Sequence, residues 1–196
     1  MARCEPVEPR VTATHNSDAR TDLELIAAIN DGDPAAFEVL YFRYRQWVAA
    51  LAFRFTGDND TALDVLQDTF MYVLRKFPGF RLSANFKTFL YPAVRNLSIA
   101  ARRKAERYQT SDEDLERLQY MPASAGGEGS VGDLEIVLAG LPEEQREVIL
   151  LRFVDGLSLA EIAEAMDIPL GTVKSRLHNA LQALRSDERT KDFFQQ

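Results

Sequence analysis

Apolar residues recur at steps of three and four along nearly the whole of this 196-residue chain. No stretch shows the sustained alternation of apolar and polar residues that marks a half-buried β-strand. Helix boundaries are also present in the sequence. Thr21 with Glu24 forms a capping box for a first helix. Asp33-Pro34 supplies an N-cap and a first-turn proline for a second helix, which Gly57 ends. The sequence therefore predicts an all-α fold.

Four helices in the first half each carry one apolar stripe, so that they can pack together as a bundle. The third helix is predicted to open at Asp60 and to close at Pro78-Gly79, and the fourth to begin at about Ser83 or Asn85. The residues predicted to be buried are, helix by helix, Leu23, Ile26 and Ile29; Phe37, Leu40, Tyr44, Trp47, Val48 and Leu51; Leu63, Leu66, Phe70, Val73, Leu74 and Phe77; and Phe86, Phe89, Leu90, Val94 and Leu97.

The helical pattern fails between residues 109 and 131, where "ASAGGEGSVG" has the composition of a flexible linker. No Gly-Lys-Ser or Gly-Lys-Thr follows this run, so a nucleotide-binding loop is not expected. We therefore expect two helical domains joined by a tether. The predicted segments are a flexible leader over 1–20, a first domain over 21–108, a linker over 109–132, a second domain over 133–186 and a tail over 187–196.

The second domain has the spacing of a helix-turn-helix. One helix is predicted to start at Leu141-Pro142 and to end at Asp155-Gly156. Ser158 with Glu161 then forms a capping box, "DIPLG" makes a tight connection, and Thr172 caps the last helix. The residues predicted to be buried are Leu134, Val137 and Leu138; Val148, Leu151 and Phe153; Leu159, Ile162 and Met166; and Val173, Leu177, Ala180, Leu181 and Leu184.

The formal net charge of -7 conceals two segments of opposite sign. Residues 81–108 contain seven basic residues and one acidic residue, whereas residues 109–135 contain seven acidic residues and one basic residue. A charge run is commonly a solvated face. A bias this strong is as consistent with a polyanion partner, such as nucleic acid, as it is with a solvated face.

The sequence offers no catalytic constellation, metal site or cofactor site, so we expect that the chain is not an enzyme. His15 lies in the leader and His178 on the last helix, and neither has the spacing of a metal ligand. The single cysteine, Cys4, allows no internal disulfide and no CxxC knuckle. No run of about 18 apolar residues occurs, and the N-terminus lacks the apolar core of a signal peptide. We therefore expect no membrane insertion and a cytoplasmic location.

The last helix carries polar groups suited to nucleic acid. Lys174 and Arg176 can reach phosphates, and Arg176 has the paired donors that a base edge accepts. His178, Asn179 and Gln182 add further donors and acceptors on the same outer face. The alternative is an ordinary solvated amphipathic helix. The combination of two caps, a short turn and polar groups near the helix start favours DNA contact.

A second candidate lies between Phe80 and Arg107, where aromatic and basic residues are interleaved. Such a mixture can hold single-stranded nucleic acid by stacking and by phosphate contact. The alternative is that the aromatics belong to the core, and we favour it for Phe86, Phe89 and Trp47. The interleaved residues are Phe80, Phe86, Phe89 and Tyr91 with Arg81, Lys87 and Arg95.

Three stretches closely resemble bacterial sigma factors of the extracytoplasmic-function group. They are "ALDVLQDTFMYVLRKFPGF", "FKTFLYPAVRNL" and "LPEEQREVILLRFVDGLSLAEIAEAMDIPLGTVKSRLHNALQAL". The resemblance runs in order from about Thr21 to Arg185. It implies a two-domain subunit of RNA polymerase, whose first domain binds the polymerase clamp and melts the −10 element and whose second domain reads the −35 element. The implied partners are core RNA polymerase, promoter DNA and an anti-sigma protein that holds the chain inactive.

Matched motif by motif, the resemblance assigns three groups of residues. "DVLQDTF" corresponds to the stretch that faces the clamp, so Asp64, Gln67 and Asp68 are the expected polymerase contacts. "FRLSANFKTF" and the following helix correspond to the −10 reader, with Phe80, Arg81, Asn85, Lys87, Arg95 and Asn96 as expected contacts. "TVKSRLHNAL" corresponds to the −35 helix, with Thr172, Lys174, Ser175, Arg176, His178 and Asn179. Pro92 stands where the family commonly has a basic residue, and it is expected to kink its helix because it lacks a backbone donor.

Three other functions fit parts of the sequence. A stand-alone helix-turn-helix regulator would use its first domain to sense a ligand or a phosphorylation. An enzyme fused to a DNA-binding tail would need the catalytic constellation that we do not find. A sigma-sequestering adaptor would have no use for the polar outer face of the last helix. Binding to core polymerase separates the first of these from a sigma factor.

Overall fold

The computed structural model describes residues 18–82, 85–109 and 137–187, and every regular element within those ranges is helical. The all-α prediction is therefore confirmed. The helices are α1 (Asp22–Asn30), α2 (Pro34–Thr56), α3 (Asn59–Leu74), α4 (Phe86–Gln109), α5 (Glu143–Ile149), α6 (Leu159–Met166) and α7 (Leu170–Ser186), and a π-helical turn, Leu150–Val154, continues α5. We call α1–α4 the first bundle and residues 137–187 the second bundle. Most of the predicted leader, linker and tail lies outside the described residues, as do Ser83 and Leu134.

Side chains at the helix ends explain where the first two helices begin and stop. The Thr21 hydroxyl accepts a hydrogen bond from the Glu24 amide at 3.3 Å, and the Glu24 carboxylate accepts one from the Thr21 amide at 2.6 Å. The Asp33 carboxylate caps α2 by accepting a bond from the Ala35 amide at 2.9 Å. Gly57 ends α2 with a φ of 70°, a left-handed conformation that costs glycine little. These predicted boundaries are confirmed.

Two helices begin earlier than the sequence pattern indicated. The Asp58 carboxylate, and not Asp60, caps α3 by accepting the amide of the third helical residue at 2.8 Å. Helix α7 begins at Leu170. The residue before it, Pro169, is the N-cap and has an extended backbone with a ψ of 142°. Thr172 therefore lies inside that turn, where its amide donates to the Pro169 carbonyl at 2.8 Å. The prediction that Thr172 caps α7 is wrong.

The boundaries of α3 and α4 also differ in detail from expectation. Helix α3 ends at Leu74, ahead of the predicted stop at Pro78-Gly79. The Asn85 side chain accepts a hydrogen bond from the Lys87 amide at 2.9 Å at the start of α4. Helix α4 then continues as one element through Pro92, which is exposed. A proline on the outer side of the helix removes one donor without ending the helix.

The core of the first bundle contains most of the predicted apolar stripes, but Leu23, Leu63 and Leu74 are 62%, 50% and 46% exposed. Leu25, which the predicted stripe left out, is fully buried instead. In α3 the face towards the core is carried by Ala62, Val65, Leu66, Thr69, Phe70 and Val73. Leu63 stands three residues before Leu66, and Ala62 stands four residues before it. Apolar spacing alone therefore does not decide which of the two is buried.

The second bundle has a small core of its own, made of Val137, Leu141, Ile149, Ala180 and Leu184. Phe153 was predicted to join such a core, but it is 62% exposed. It lies in the π-helical turn, which holds more residues per turn than an α-helix and rotates the following side chains. The apolar spacing that placed Phe153 inside assumes a regular α-helix, and this assumption fails here.

The two bundles are joined by a shared apolar core. Val148, Leu151, Leu157, Ile162 and Val173 of the second bundle pack with the buried residues of the first. Helix α6 lies against α4. The second bundle therefore covers part of the face of the first bundle on which α4 begins.

Candidate nucleic-acid interface

Helices α6 and α7 form the helix-turn-helix that the sequence predicted. Ser158 with Glu161 forms the capping box that begins α6. Asp167 adopts a φ of 53° and turns the chain between the two helices. Ile162 and Val173 are fully buried, which fixes the position of α7 against α6. This packing leaves the opposite side of α7 open to solvent, as a helix that enters a DNA groove requires.

Most residues assigned to −35 recognition lie on the open side of α7. Lys174, Ser175, His178 and Asn179 are exposed, and Thr172 is half-buried. The Ser175 hydroxyl donates a hydrogen bond to the Thr172 carbonyl at 3.0 Å. The exposed side chains present one cation and several donors and acceptors within two helical turns.

Arg176 differs from the expectation that it faces outward. Its side chain is only 21% exposed, and its Nη2 atom forms an ion pair with Glu144 Oε2 at 2.6 Å. Glu144 comes from the first turn of α5 and is itself 67% exposed. An ion pair with so exposed a partner contributes little to stability. Arg176 is therefore held at the edge of the α7 face by a contact that it can exchange for another anion.

The residues assigned to −10 recognition fall into two groups. Arg81, Asn85 and Asn96 are exposed. Phe80 is half-buried in an aromatic cluster, with its ring centroid 4.5 Å from that of Phe89. Its backbone is held by Asn30, whose side-chain nitrogen donates to the Phe80 carbonyl at 2.9 Å and whose oxygen accepts the Phe80 amide at 3.1 Å. Sequence reasoning missed this role of Asn30, because the two residues are 50 positions apart.

Lys87 and Arg95, by contrast, contact the second bundle. The Lys87 Nζ atom donates to the backbone carbonyl of Asp155 at 2.7 Å and lies 5.6 Å from the centre of the Trp47 ring. The Arg95 Nε atom lies 3.6 Å from Glu147 Oε1. The pKa of the Glu161 carboxyl is lowered by hydrogen bonds from Ser158 and, to a smaller extent, by the Asn85 side chain and the Lys87 charge.

Asp155 is a buried carboxylate that sequence reasoning placed only at a helix end. Its side chain is 3% exposed. Its Oδ1 atom accepts the indole N–H of Trp47 at 2.7 Å, and its Oδ2 atom accepts Arg54 Nη2 at 2.8 Å. Both partners belong to α2 of the first bundle. No sequence pattern relates residues that are 101 and 108 positions apart, so this cluster could be found only in the fold.

Glu147 is a second buried acid between the bundles. Burial raises its pKa from its ordinary value of 4.5 to about 7, and the charges of Arg54 and Arg176 oppose that rise. Its Oε1 atom has no hydrogen-bond partner, although Arg95 lies nearby. The carboxyl is therefore protonated more readily here than in water.

We expect the Glu147→Gln variant to remove one component of the pH dependence of stability. A raised carboxyl pKa stabilises the folded form fully below about pH 4.5, and this contribution is lost as the pH rises to about 7. The free energy of unfolding of the natural chain should therefore fall, relative to that of the variant, by up to about 3 kcal/mol between these limits. Urea unfolding of both chains at several pH values measures the difference. Glu143→Gln, a change at an exposed acid of α5, is the control and should show no such trend.

The residues assigned to polymerase binding lie together on α3. Asp64, Gln67 and Asp68 are all exposed, next to the exposed apolar residues Leu63 and Met71. We call these five residues the α3 surface. An apolar strip with an acidic border is typical of a protein-docking face. The acidic border could be predicted from the sequence, whereas the apolar strip could not, because Leu63 was assigned to the core.

Two further properties concern only the described residues. None of their helices is both long enough and apolar enough to cross a membrane. No group of three or more His, Cys, Asp or Glu side chains among them could hold a metal ion.

Two family models match the chain, one in each bundle. Residues 40–108 match Sigma-70 region 2, and residues 137–186 match Sigma-70, region 4. Among curated proteins, the chain is 32% identical to the ECF RNA polymerase sigma factor SigW of Bacillus subtilis over 177 residues, covering 84% of this chain and 95% of SigW. It is 33% identical to the ECF RNA polymerase sigma-E factor of Escherichia coli K12 over 185 residues, covering 86% and 94% of the two chains.

Two solved structures share the fold. The sigma factor RpoE of Bartonella quintana, in complex with the anti-sigma factor NepR, matches with a TM-score of 0.59 and 28% identity, over 76% of this chain and 94% of that one. CnrH, in complex with the cytosolic domain of CnrY, matches with a TM-score of 0.60 and 23% identity, over 83% and 93%. Both matches extend over most of this chain.

Proposed function

Because this chain belongs to the extracytoplasmic-function group of RNA polymerase sigma factors, we propose that separate surfaces of its two bundles contact polymerase and the two promoter elements. As a sigma factor, it binds core polymerase and directs it to promoters. The matches cover both bundles in order, which favours this function over a stand-alone regulator or an enzyme with a DNA-binding tail. The observation that carries the proposal is the set of exposed polar faces within the two matched regions.

We assign −35 recognition to α7. Its exposed face is formed by Lys174, Ser175, His178 and Asn179. This face can lie in the major groove of DNA, with the α6–α7 turn against the sugar-phosphate backbone. Arg176 reaches a base edge when it leaves Glu144. A guanidinium can donate two hydrogen bonds to guanine, which an ammonium cannot. We therefore assign sequence readout to Arg176 and phosphate contact to Lys174.

We assign −10 recognition to the segment that leads into α4 and to the exposed side of that helix. Arg81, Asn85 and Asn96 are exposed there. Lys87 and Arg95 would complete a basic surface for DNA once their contacts with the second bundle are released. Phe80 is anchored by Asn30 and by its aromatic neighbours, so its role is to hold the segment in place rather than to stack freely on a base.

We assign core polymerase binding to the α3 surface. Asp64 and Asp68 offer negative charge to a basic docking surface, and Leu63 and Met71 offer apolar area that is otherwise left in water. Gln67 lies between the two kinds of contact. A docking face of this kind, together with two DNA contacts on one polymerase, gives overall affinity that no single contact provides.

The remaining assignments follow from the family. We propose that the chain has no catalytic activity of its own, acts in the cytoplasm and binds an anti-sigma protein. The last of these extends to this chain what is described for the RpoE–NepR complex, and no particular partner is identified.

We expect transcription from specific promoters only when the chain and core polymerase are both present. The net charge of -7 opposes DNA binding by the isolated chain, and polymerase supplies the missing affinity. In vitro transcription on a genomic fragment library, followed by mapping of start sites, should reveal one shared pair of upstream elements. Core polymerase alone is the control. Tight, sequence-specific binding of promoter duplexes by the isolated chain at physiological salt would contradict the proposal.

A further inference from the structure

Tyr72 is an exposed aromatic residue near the end of α3, and none of the assignments above uses it. The residue is 37% exposed. Its ring stacks on that of Phe89, with the two centroids 6.0 Å apart and the ring planes 18° apart. The Phe89 ring centroid lies in turn 4.5 Å from that of Phe80, whose backbone Asn30 holds. Tyr72 is therefore backed by a fixed aromatic cluster, while part of its surface stays open to solvent.

The stacked pair lies between two residues assigned to the −10 element. Asn85 stands just before the first residue of α4, and Phe89 follows four residues later. Pro92 and Asn96 follow at further steps of three and four residues, which places this series on one face of the helix. Between the two asparagines the series has no side chain that can form a hydrogen bond. Such a surface suits the flat face of a base rather than its edge.

The charge along α3 changes sign towards Tyr72. Asp64 and Asp68 belong to the α3 surface, whereas two exposed cations, Arg75 and Lys76, follow the end of the helix directly. The Lys76 Nζ atom lies over the Tyr72 ring, 4.7 Å from its centroid. Positive charge beside an open aromatic ring favours a polyanion with bases that can stack. It does not suit the basic polymerase surface that the two aspartates fit.

Lys76 covers the Tyr72 ring by a contact that can be exchanged. A cation over an exposed ring is held only weakly. A base can take its place on the ring, and the ammonium group, on its flexible stem, can then reach a phosphate beside that base. An opened strand offers an unstacked base and a phosphate together, whereas the bases of a duplex stay stacked on one another.

We propose that Tyr72 and Phe89 form a stacking platform for one unstacked base of the opened −10 strand, with Lys76 moving from the ring to a neighbouring phosphate. This proposal rests on the −10 assignment made above. Every base has a flat aromatic face, so any of the four can occupy the platform. Tyr72 therefore adds affinity for the opened strand without adding a preference for one base at that position.

A promoter template whose −10 region is single-stranded tests the proposal, because the energy of duplex opening does not enter the measurement. Core polymerase carrying the natural chain or a variant would be bound to this template. Each nucleotide of the single strand would in turn be replaced by one that lacks its base. Tyr72→Leu keeps an apolar contact with Phe89 but has no aromatic face, and Tyr72→Phe keeps that face. Leu23→Ala, which truncates an exposed apolar residue of α1, is the matched control.

We expect the Tyr72→Leu complex to bind the intact template about tenfold more weakly than the natural complex, because the stacking of one base is lost. The Tyr72→Phe and Leu23→Ala complexes should bind it as the natural complex does. With the natural chain, removal of the base at one position should cause a similar loss, and with Tyr72→Leu that removal should have no further effect. Removal at any other position should weaken both complexes alike. Exchange of the base at the coupled position should change binding little.

Normal binding of the intact template by the Tyr72→Leu complex would overturn the proposal. The proposal also fails if the loss in Tyr72→Leu adds to that of base removal at every position, because Tyr72 then contacts no base. Weaker competition of Tyr72→Leu for core polymerase, with normal template binding by the assembled complex, would place Tyr72 on the polymerase-docking face instead. Circular dichroism verifies that each variant is folded. Template binding and −35 preference of the natural complex test the proposed function itself, so the platform can fail while that function stands.

Discussion

Reversing the charge of both Asp64 and Asp68 to lysine is expected to weaken binding to core polymerase by about 100-fold. Both carboxylates are exposed on the α3 surface and have no structural role in the bundle, so the fold should be unaffected. The new positive charges would face the basic surface that we assign to polymerase, beside the apolar contact of Leu63 and Met71. Equilibrium competition with the natural chain for core polymerase, with circular dichroism to verify helicity, measures the effect.

The control is a second double variant, Asp31→Lys with Glu143→Lys, which makes the same change of net charge at exposed sites outside α3. A general effect of charge would weaken both double variants alike. If the α3 surface is a specific docking contact, only the Asp64 and Asp68 variant should bind core polymerase more weakly. Normal competition by the Asp64 and Asp68 variant would show that α3 does not face polymerase.

The second large effect is expected at the −35 element. Arg176→Ala should relax the preference for one or two base pairs by about 1–3 kcal/mol, because a bidentate guanine contact discriminates by that amount. Lys174→Ala should lower transcription from all promoters alike and reduce the salt dependence of binding, because its partner is a phosphate. Transcription across a library with a randomised −35 element measures both effects in one experiment.

The Glu144 contact supplies a control for the same experiment. Glu144→Gln keeps the size of the side chain but removes the charge that holds Arg176. It should preserve or strengthen −35 preference, and never relax it. Since the Arg176–Glu144 pair is exposed on the Glu144 side, none of the three variants should change stability much. Wild-type output and preference in both Arg176→Ala and Lys174→Ala would mean that α7 is not the reader.

The local parts of the fold were predictable because their causes are local. A capping box such as Thr21 with Glu24 involves residues three apart, and Gly57 acts on its own backbone. The errors in the predicted fold arose where two nearby residues fitted the same local sequence pattern. Asp58 and Asp60 can both cap, and Leu63 and Ala62 both fit the apolar spacing of α3. In each case packing against the rest of the bundle decided, and this packing cannot be read from the nearby sequence.

The functional faces divide in the same way. The exposed residues of α7 followed from the apolar spacing of a helix that is regular throughout. The engagement of Arg176, Lys87 and Arg95 did not, because their acidic partners come from other helices. Asp155 was visible in the sequence only as part of a helix stop. Its interaction with α2 depends on the placement of one bundle against the other.

The π-helical turn Leu150–Val154 has an evolutionary consequence. Such a turn differs from a regular α-helical turn by about one residue of length. Loss of a single codon within it would restore an α-helix, turn Phe153 inward and swing Asp155 away from Arg54. The chemistry of every remaining side chain would be unchanged. A change of one residue in chain length, without any change in side-chain chemistry, is therefore expected to alter the contact between the two bundles.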